Sequence, residues 1–171
     1  MPHEDRPSTR VLDTSMLEQR ISRSMDSLLS TQGLSPVRVG VDIVEIASFE
    51  HNRKVGGARW LAKVFTDREL KSADVRTEQL ATAFAAKEAT VKVLRTGFRG
   101  ISPHDIEVCR TPHGTPHVVL HGNAQRVAEQ ECIVEIPISL SRDCGVAIAV
   151  ALGLTVPPHK PRGLSDEEEI G

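Results

Sequence analysis

The uninterrupted run from Leu80 to Leu94 limits what this chain can become more than any other stretch. It is rich in Ala, Leu, Lys and Glu and holds neither Gly nor Pro, so it predicts a helix of about four turns. Leu80, Phe84, Val91 and Leu94 recur at three- and four-residue intervals, and the position that would complete the stripe is Glu88. Lys92 follows one turn later. A carboxylate in the core-facing row of a helix calls for a cation or a metal, because an unpaired buried charge is strongly unfavourable. The ordinary alternative is an i,i+4 Glu–Lys pair at the edge of the stripe, which contributes only about 0.2–0.5 kcal/mol.

A second stretch gives this helix something to pack on. From Val37 to Ile46 the chain is mostly β-branched, which predicts a strand. Val39, Val41 and Ile43 fall on one face, and Gly40, Asp42 and Val44 on the other. Asp42 is therefore a second acid in an apolar setting, unless nearby backbone N–H groups satisfy it.

The remaining elements follow in order. Ser15-Met16-Leu17-Glu18 has capping-box spacing, and Leu17, Ile21, Met25 and Leu28 continue at helical intervals, so an amphipathic helix is expected over roughly 15–30. Residues 1–36 are read as an extension to a domain spanning 37–153, and 154–171 as a disordered acidic tail. A short helix from Ala47 is broken at Gly56-Gly57 and followed by another over 58–64. Thr66-Asp67-Arg68-Glu69 is a capping box that opens a helix towards Ala73. The alternation from Asp105 to Arg110, the turn Pro112 to Pro116 and the run Val118 to Leu120 predict a hairpin. A short helix over 123–129, capped by Asn123, precedes two apolar strands, Cys132–Ser141 and Gly145–Leu152. Strands joined mainly by hairpins, with helices gathered elsewhere, define an α+β fold with an antiparallel sheet.

Composition narrows the function. The 171 residues, 39% apolar and 26% charged, suit one core. A net charge of −2 argues for neither nucleic acid nor a membrane surface as partner, and no apolar run approaches the ~20 residues of a spanning helix. The N-terminus carries acids and has no apolar segment, unlike a secretory signal. Three cysteines without metal-ligand spacing read as reduced thiols of a cytoplasmic protein. Aromatic residues make up 3%, with no Tyr, so the core is aliphatic and base-stacking platforms are not expected.

Asp42 and Glu88, on a strand and a helix of one core, cannot both ionise at close range without a cation. Oxygen ligands point to a hard ion, and two carboxylates completed by water and a phosphate suit Mg²⁺. Lys87 and Lys92 flank Glu88 as point charges able to hold phosphate oxygens. The pattern suggests magnesium-dependent handling of a phosphate or pyrophosphate compound, although a structural pair accounts for two such acids equally well.

Several blocks then resemble a known family. Val39-Gly40-Val41-Asp42-Ile43-Val44-Glu45-Ile46, Phe65-Thr66-Asp67-Arg68-Glu69-Leu70 and Phe84-Ala85-Ala86-Lys87-Glu88-Ala89 followed by Lys92 are similar to blocks of the holo-acyl-carrier-protein synthases. That family is the small trimeric branch of the 4′-phosphopantetheinyl transferases. Asp105-Ile106-Glu107-Val108, Gly114-Thr115-Pro116 and Ser139-Leu140-Ser141 continue the series, within about 38–152. The resemblance implies a homotrimer that transfers phosphopantetheine from coenzyme A to a serine of an acyl or peptidyl carrier protein. It implies Mg²⁺ on Asp42 and Glu88, Glu88 as the group deprotonating the serine, and Lys92 on coenzyme A phosphate. Lys87, Gly114, Pro116 and Ser139 would lie on the coenzyme side, the 114–116 turn from a neighbouring subunit, and Arg59 and Lys63 would meet the acidic carrier.

The chain departs from this pattern at three places. The late strand reads Pro137-Ile138-Ser139-Leu140-Ser141-Arg142 where the family usually has imidazoles at the first and last positions. Ser48 stands in place of a common basic residue, and His104 in place of a common tryptophan. Another reaction on carrier- or coenzyme-bound substrates, or carrier binding without catalysis, would also accommodate these changes. His113, His117 and His121 read as scattered surface histidines, and Ser139 and Ser141 as strand serines without a histidine partner.

Overall fold

The structure is a computed structural model that describes residues 37–74 and 76–156. The amphipathic pattern over 15–30 and all but the first three residues of the tail expected over 154–171 lie outside the described residues. Strand β1 (Val37–Glu45) runs antiparallel to β6 (Val146–Thr155), with Val41 opposite Val150 and Asp42 opposite Ala149. β6 continues two residues past the boundary expected at Gly153. It alternates strictly: Ala147, Ala149, Ala151 and Gly153 are buried, whereas Val146, Ile148, Val150, Leu152 and Leu154 are half-buried on the other face. Period-2 alternation puts all the small residues on one side, and that side receives helix α3 (Thr77–Leu94).

Gly40 sets how closely α3 seats. A Cβ there would lie 1.9 Å from the Ala89 carbonyl oxygen, so only glycine fits between strand and helix. Gly40 and Asp42 share a strand face, so the same alternation turns Asp42 towards α3. Ala85, Ala86 and Ala89 are fully buried on the helix side.

Between β1 and α3 lie α1 (Ile46–Val64) and α2 (Asp67–Ala73). The two short helices expected around Gly56-Gly57 form one element kinked at Gly57, whose φ of 59° and ψ of −159° suit only glycine. Thr66 and Glu69 form the expected reciprocal capping box. Phe49, Trp60, Phe65 and Phe84 form an aromatic cluster with ring centroids 5.5–6.4 Å apart, packing α1 on α3.

After α3, a 3₁₀ turn (Pro103–Asp105) leads into β2 (Ile106–Arg110) and β3 (Pro116–Leu120), a separate two-stranded sheet. Helix α4 (Gly122–Gln130), β4 (Ile133–Glu135) and β5 (Ile138–Asp143) complete the chain before β6. Two local expectations change here. His121 occupies the N-cap of α4, because Asn123 instead donates to the Gly100 carbonyl at 2.8 Å. The strand expected over 132–141 divides at Ile136-Pro137. Pro137 has no N–H to give a ladder, and only its carbonyl pairs, accepting from Leu152 N–H at 3.0 Å. The architecture is α+β with an antiparallel main sheet, as expected.

Candidate active site

Asp42, on the face of β1 that meets α3, and Glu88, midway along α3, line one cleft of about 270 Å³. Glu45, Ser48, Phe49, Asn52, Trp60 and Phe84 also line it. The helix that positions Glu88 differs from the expected amphipathic rod. Nearly every side of α3 is covered, and the row Phe84, Glu88, Lys92 is its less buried line. Glu88 therefore faces the cleft edge and does not point into the core.

The fully buried charge is the neighbouring residue. The Lys87 side chain is 0% exposed, 2.8 Å from Glu69, and donates to the carbonyls of Pro103 at 2.8 Å and Ile106 at 2.5 Å. Burial pushes the Lys87 pKa down, against the pull of Glu69 and Glu107. The expectation that Lys87 holds coenzyme phosphate is corrected on this geometry: its three donors are engaged inside the protein. Glu69 is the partner that the capping box concealed. It also accepts from Thr66 N–H at 2.8 Å and Val108 N–H at 2.9 Å, so one carboxylate joins α2, α3 and β2. Beside it Glu107 accepts from the Thr66 hydroxyl at 3.1 Å and lies 3.2 Å from His121 Nε2. No local pattern announces this cluster, since its members come from four separate segments.

At the cleft, Lys92 Nζ donates to the Val41 carbonyl at 2.6 Å and to Asp42 Oδ1 at 3.2 Å. Glu88 carries a raised pKa, first through burial and then through the charge of Asp42, with Lys92 opposing. At Glu88 the pull of Lys92 does not cancel the effects of burial and Asp42. Among the described residues no group of three or more His, Cys, Asp or Glu side chains is suited to a metal. An ion here would have two protein carboxylates and complete its shell with water and ligand oxygens. That donor set fits Mg²⁺.

The other expected residues lie elsewhere. Arg59 and Lys63 are exposed one turn apart on the second arm of α1. Gly114, at φ 84°, closes the β2–β3 turn, where its carbonyl accepts from Arg110 at 2.9 Å. Pro116 opens β3, and Ser139 is exposed on β5 opposite Val150. None of these three lines the cleft. Arg142 and Arg110 border a separate polar recess with Thr82 and Ser141. Ser48, where a basic residue was expected, donates to Glu45 at 2.6 Å.

A central helix lies on the small-residue face of an antiparallel sheet, with an acidic pair at the seam. The chain belongs to the 4′-phosphopantetheinyl transferase superfamily, whose sequence model matches residues 38–149. Within it, the chain is 40% identical over 120 residues to the holo-[acyl-carrier-protein] synthase of Desulforudis audaxviator, an alignment covering 67% of this chain and 92% of that relative. The Helicobacter pylori holo-[acyl-carrier-protein] synthase in complex with coenzyme A superposes with a TM-score of 0.61 at 30% identity, covering 66% of this chain and 96% of that one. The ACPS–CoA complex from Chronobacterium ammoniagenes gives 0.62 at 30% identity, covering 71% and 98%.

Proposed function

We propose that the chain transfers 4′-phosphopantetheine from coenzyme A to a serine hydroxyl of an acyl carrier protein. A bond forms between the serine oxygen and the phosphorus bearing the pantetheine arm. The pyrophosphate P–O bond breaks, and adenosine 3′,5′-bisphosphate leaves with the electron pair. The observation that carries this reading is the meeting of Asp42, Glu88 and Lys92 at the seam of β1 and α3. Asp42 and Glu88 would hold Mg²⁺, which when bound supplies positive charge to the pyrophosphate. Glu88 takes the serine proton, directly or through water. Lys92, already bridging Val41 and Asp42, offers its ammonium to the leaving phosphate.

Gly114, Pro116 and Ser139 stand outside the cleft of their own chain, which favours a site completed by a neighbouring subunit. The aliphatic outer face of β1 and β6, with Val39, Val41, Ile148, Val150 and Leu152 half-buried, offers the contact for a homotrimer. Arg59 and Lys63 supply the positive charge that would steer an acidic carrier.

The test is mass spectrometry of an apo acyl carrier protein incubated with the chain, coenzyme A and Mg²⁺. The reading requires a gain of one phosphopantetheine mass. Carrier binding without that gain, across a panel of carriers, would instead support the non-catalytic alternative that Pro137 and Arg142 leave open.

A further inference from the structure

We infer that His104 is a positioning residue for carrier docking: its ring holds the second arm of α1, residues 58–64, so that Arg59 and Lys63 present one fixed basic face. The inference rests on the reading of Arg59 and Lys63 as the carrier contact. His104 Nε2 lies 2.6 Å from the Ala62 carbonyl oxygen. A carbonyl only accepts, so Nε2 carries the hydrogen and the imidazole donates. Arg59, Ala62 and Lys63 are all exposed and share one side of the arm at i, i+3 and i+4. The bond therefore ends in the middle of the basic face.

The arm needs such a tie. α1 bends at Gly57, and a helical piece as short as the one beyond it does not hold its own form in isolation. Trp60 and Val64 pack its inner side. At its end, Phe65 N–H closes the ladder on the Leu61 carbonyl. The next donor in line, for Ala62, would be Thr66 N–H. That N–H turns instead to Glu69 at 2.8 Å, as half of the capping box of α2. Carbonyls of a last helical turn that lack their helical donor are met by side chains from outside the ladder, and here the side chain is His104.

The turn that carries His104 is itself clamped. Lys87 Nζ donates to the Pro103 carbonyl on one side of it and to the Ile106 carbonyl on the other. Ser102 N–H donates to Asp105 at 3.0 Å, and His104 N–H donates to the Ser102 hydroxyl oxygen at 3.3 Å. The Asp105 carbonyl accepts from His121 N–H at 2.8 Å. Glu69 acts at both ends of the link. It draws Thr66 N–H off Ala62, and it pairs with the Lys87 that fixes the turn. A buried charge cluster away from the cleft thus sets the orientation of an exposed basic face through one imidazole.

The test compares His104→Phe and His104→Gln in the full chain. Phenylalanine keeps a ring without a donor, and glutamine returns an N–H donor at similar reach. In H104F the amides of Leu61 to Phe65 should exchange about fivefold faster, the factor that one lost hydrogen bond allows, while those of α3 keep their rates. KM for the acyl carrier protein should rise about threefold with kcat held within about twofold, because fewer molecules present the docking face and the reacting groups are untouched. H104Q should restore both readings. Unchanged exchange in H104F, a fall in kcat in place of the rise in KM, or no rescue by H104Q overturns the inference. R59E/K63E in the same assay separates the two readings. If that pair leaves KM unchanged, the carrier contact is misassigned, and the exchange rates alone decide whether His104 holds the arm.

Discussion

Substituting Gly40 by alanine tests the link between the packing of this fold and its chemistry. The added Cβ would lie 1.9 Å from the Ala89 carbonyl oxygen, 2.9 Å from its carbon and 3.2 Å from Lys92 Cβ. A carbon–oxygen contact relaxes only near about 3.3 Å, so β1 and α3 must separate by about 1.4 Å. The obstacle is helix backbone, which cannot rotate away. The cost therefore falls at the top of the overpacking range, about 3 kcal/mol. Asp42 travels with β1 and Glu88 with α3, so the same displacement parts the acidic pair, and an error of about 1 Å in a reacting constellation costs about 100-fold in rate. Urea unfolding gives the first quantity and the initial rate of carrier modification the second. Gly153→Ala is the comparison: its Cβ meets Val93 Cγ1 at 2.5 Å, a buried β-branched side chain and not backbone, at a cost of about 2 kcal/mol. A Gly40→Ala protein within about 0.5 kcal/mol of the parent, with its rate intact, would refute the reasoning from close approach to site geometry.

Three further outcomes follow from the charged groups. Glu88→Gln should abolish transfer and leave the protein at least as stable at neutral pH. The folded state holds the Glu88 proton more tightly than the unfolded chain does, so parent stability falls as pH rises from 4.5 through the raised value; melting temperatures across that window should show the decline in the parent and its absence in the variant. Lys87→Met should cost about 3–5 kcal/mol in denaturant unfolding, because Glu69 and Glu107 stay buried without their cation, and adding Glu69→Gln should restore part of the loss. Reversing charge in the pair R59E/K63E should raise KM for the acyl carrier protein with little change in kcat, an effect that shrinks as salt is added.

The periodic and punctuated parts of the chain were readable in advance. The helix around Glu88, strand β1, the Thr66 cap, the glycine break in α1 and the β2–β3 hairpin each carry a signal within a few residues. The orientation of α3 does not, because a helix covered on most sides has no single apolar stripe. Alanines 85, 86 and 89 enter the sequence pattern only as helix formers yet are fully buried. The spacing of Leu80, Phe84 and Val91 suggested that Glu88 faced inward, whereas Lys87 does. Pro137 was a local warning of the strand break at Ile136-Pro137. Asp42 and Glu88 were legible as acids among apolar residues. The Lys87–Glu69–Glu107 cluster was not, because only tertiary structure brings together a helix cap, a mid-helix lysine and a strand.

The aromatic cluster gives the cleft an optical reporter. Trp60 is the sole tryptophan of the chain, which has no tyrosine, and it lines the same cleft as Asp42 and Glu88. Its indole stands 5.5 Å from the Phe49 ring and 6.4 Å from that of Phe84, centroid to centroid. Unlabelled protein excited in the near ultraviolet therefore emits from one indole at the candidate site, and titrations with metal or coenzyme can be followed without modifying a residue.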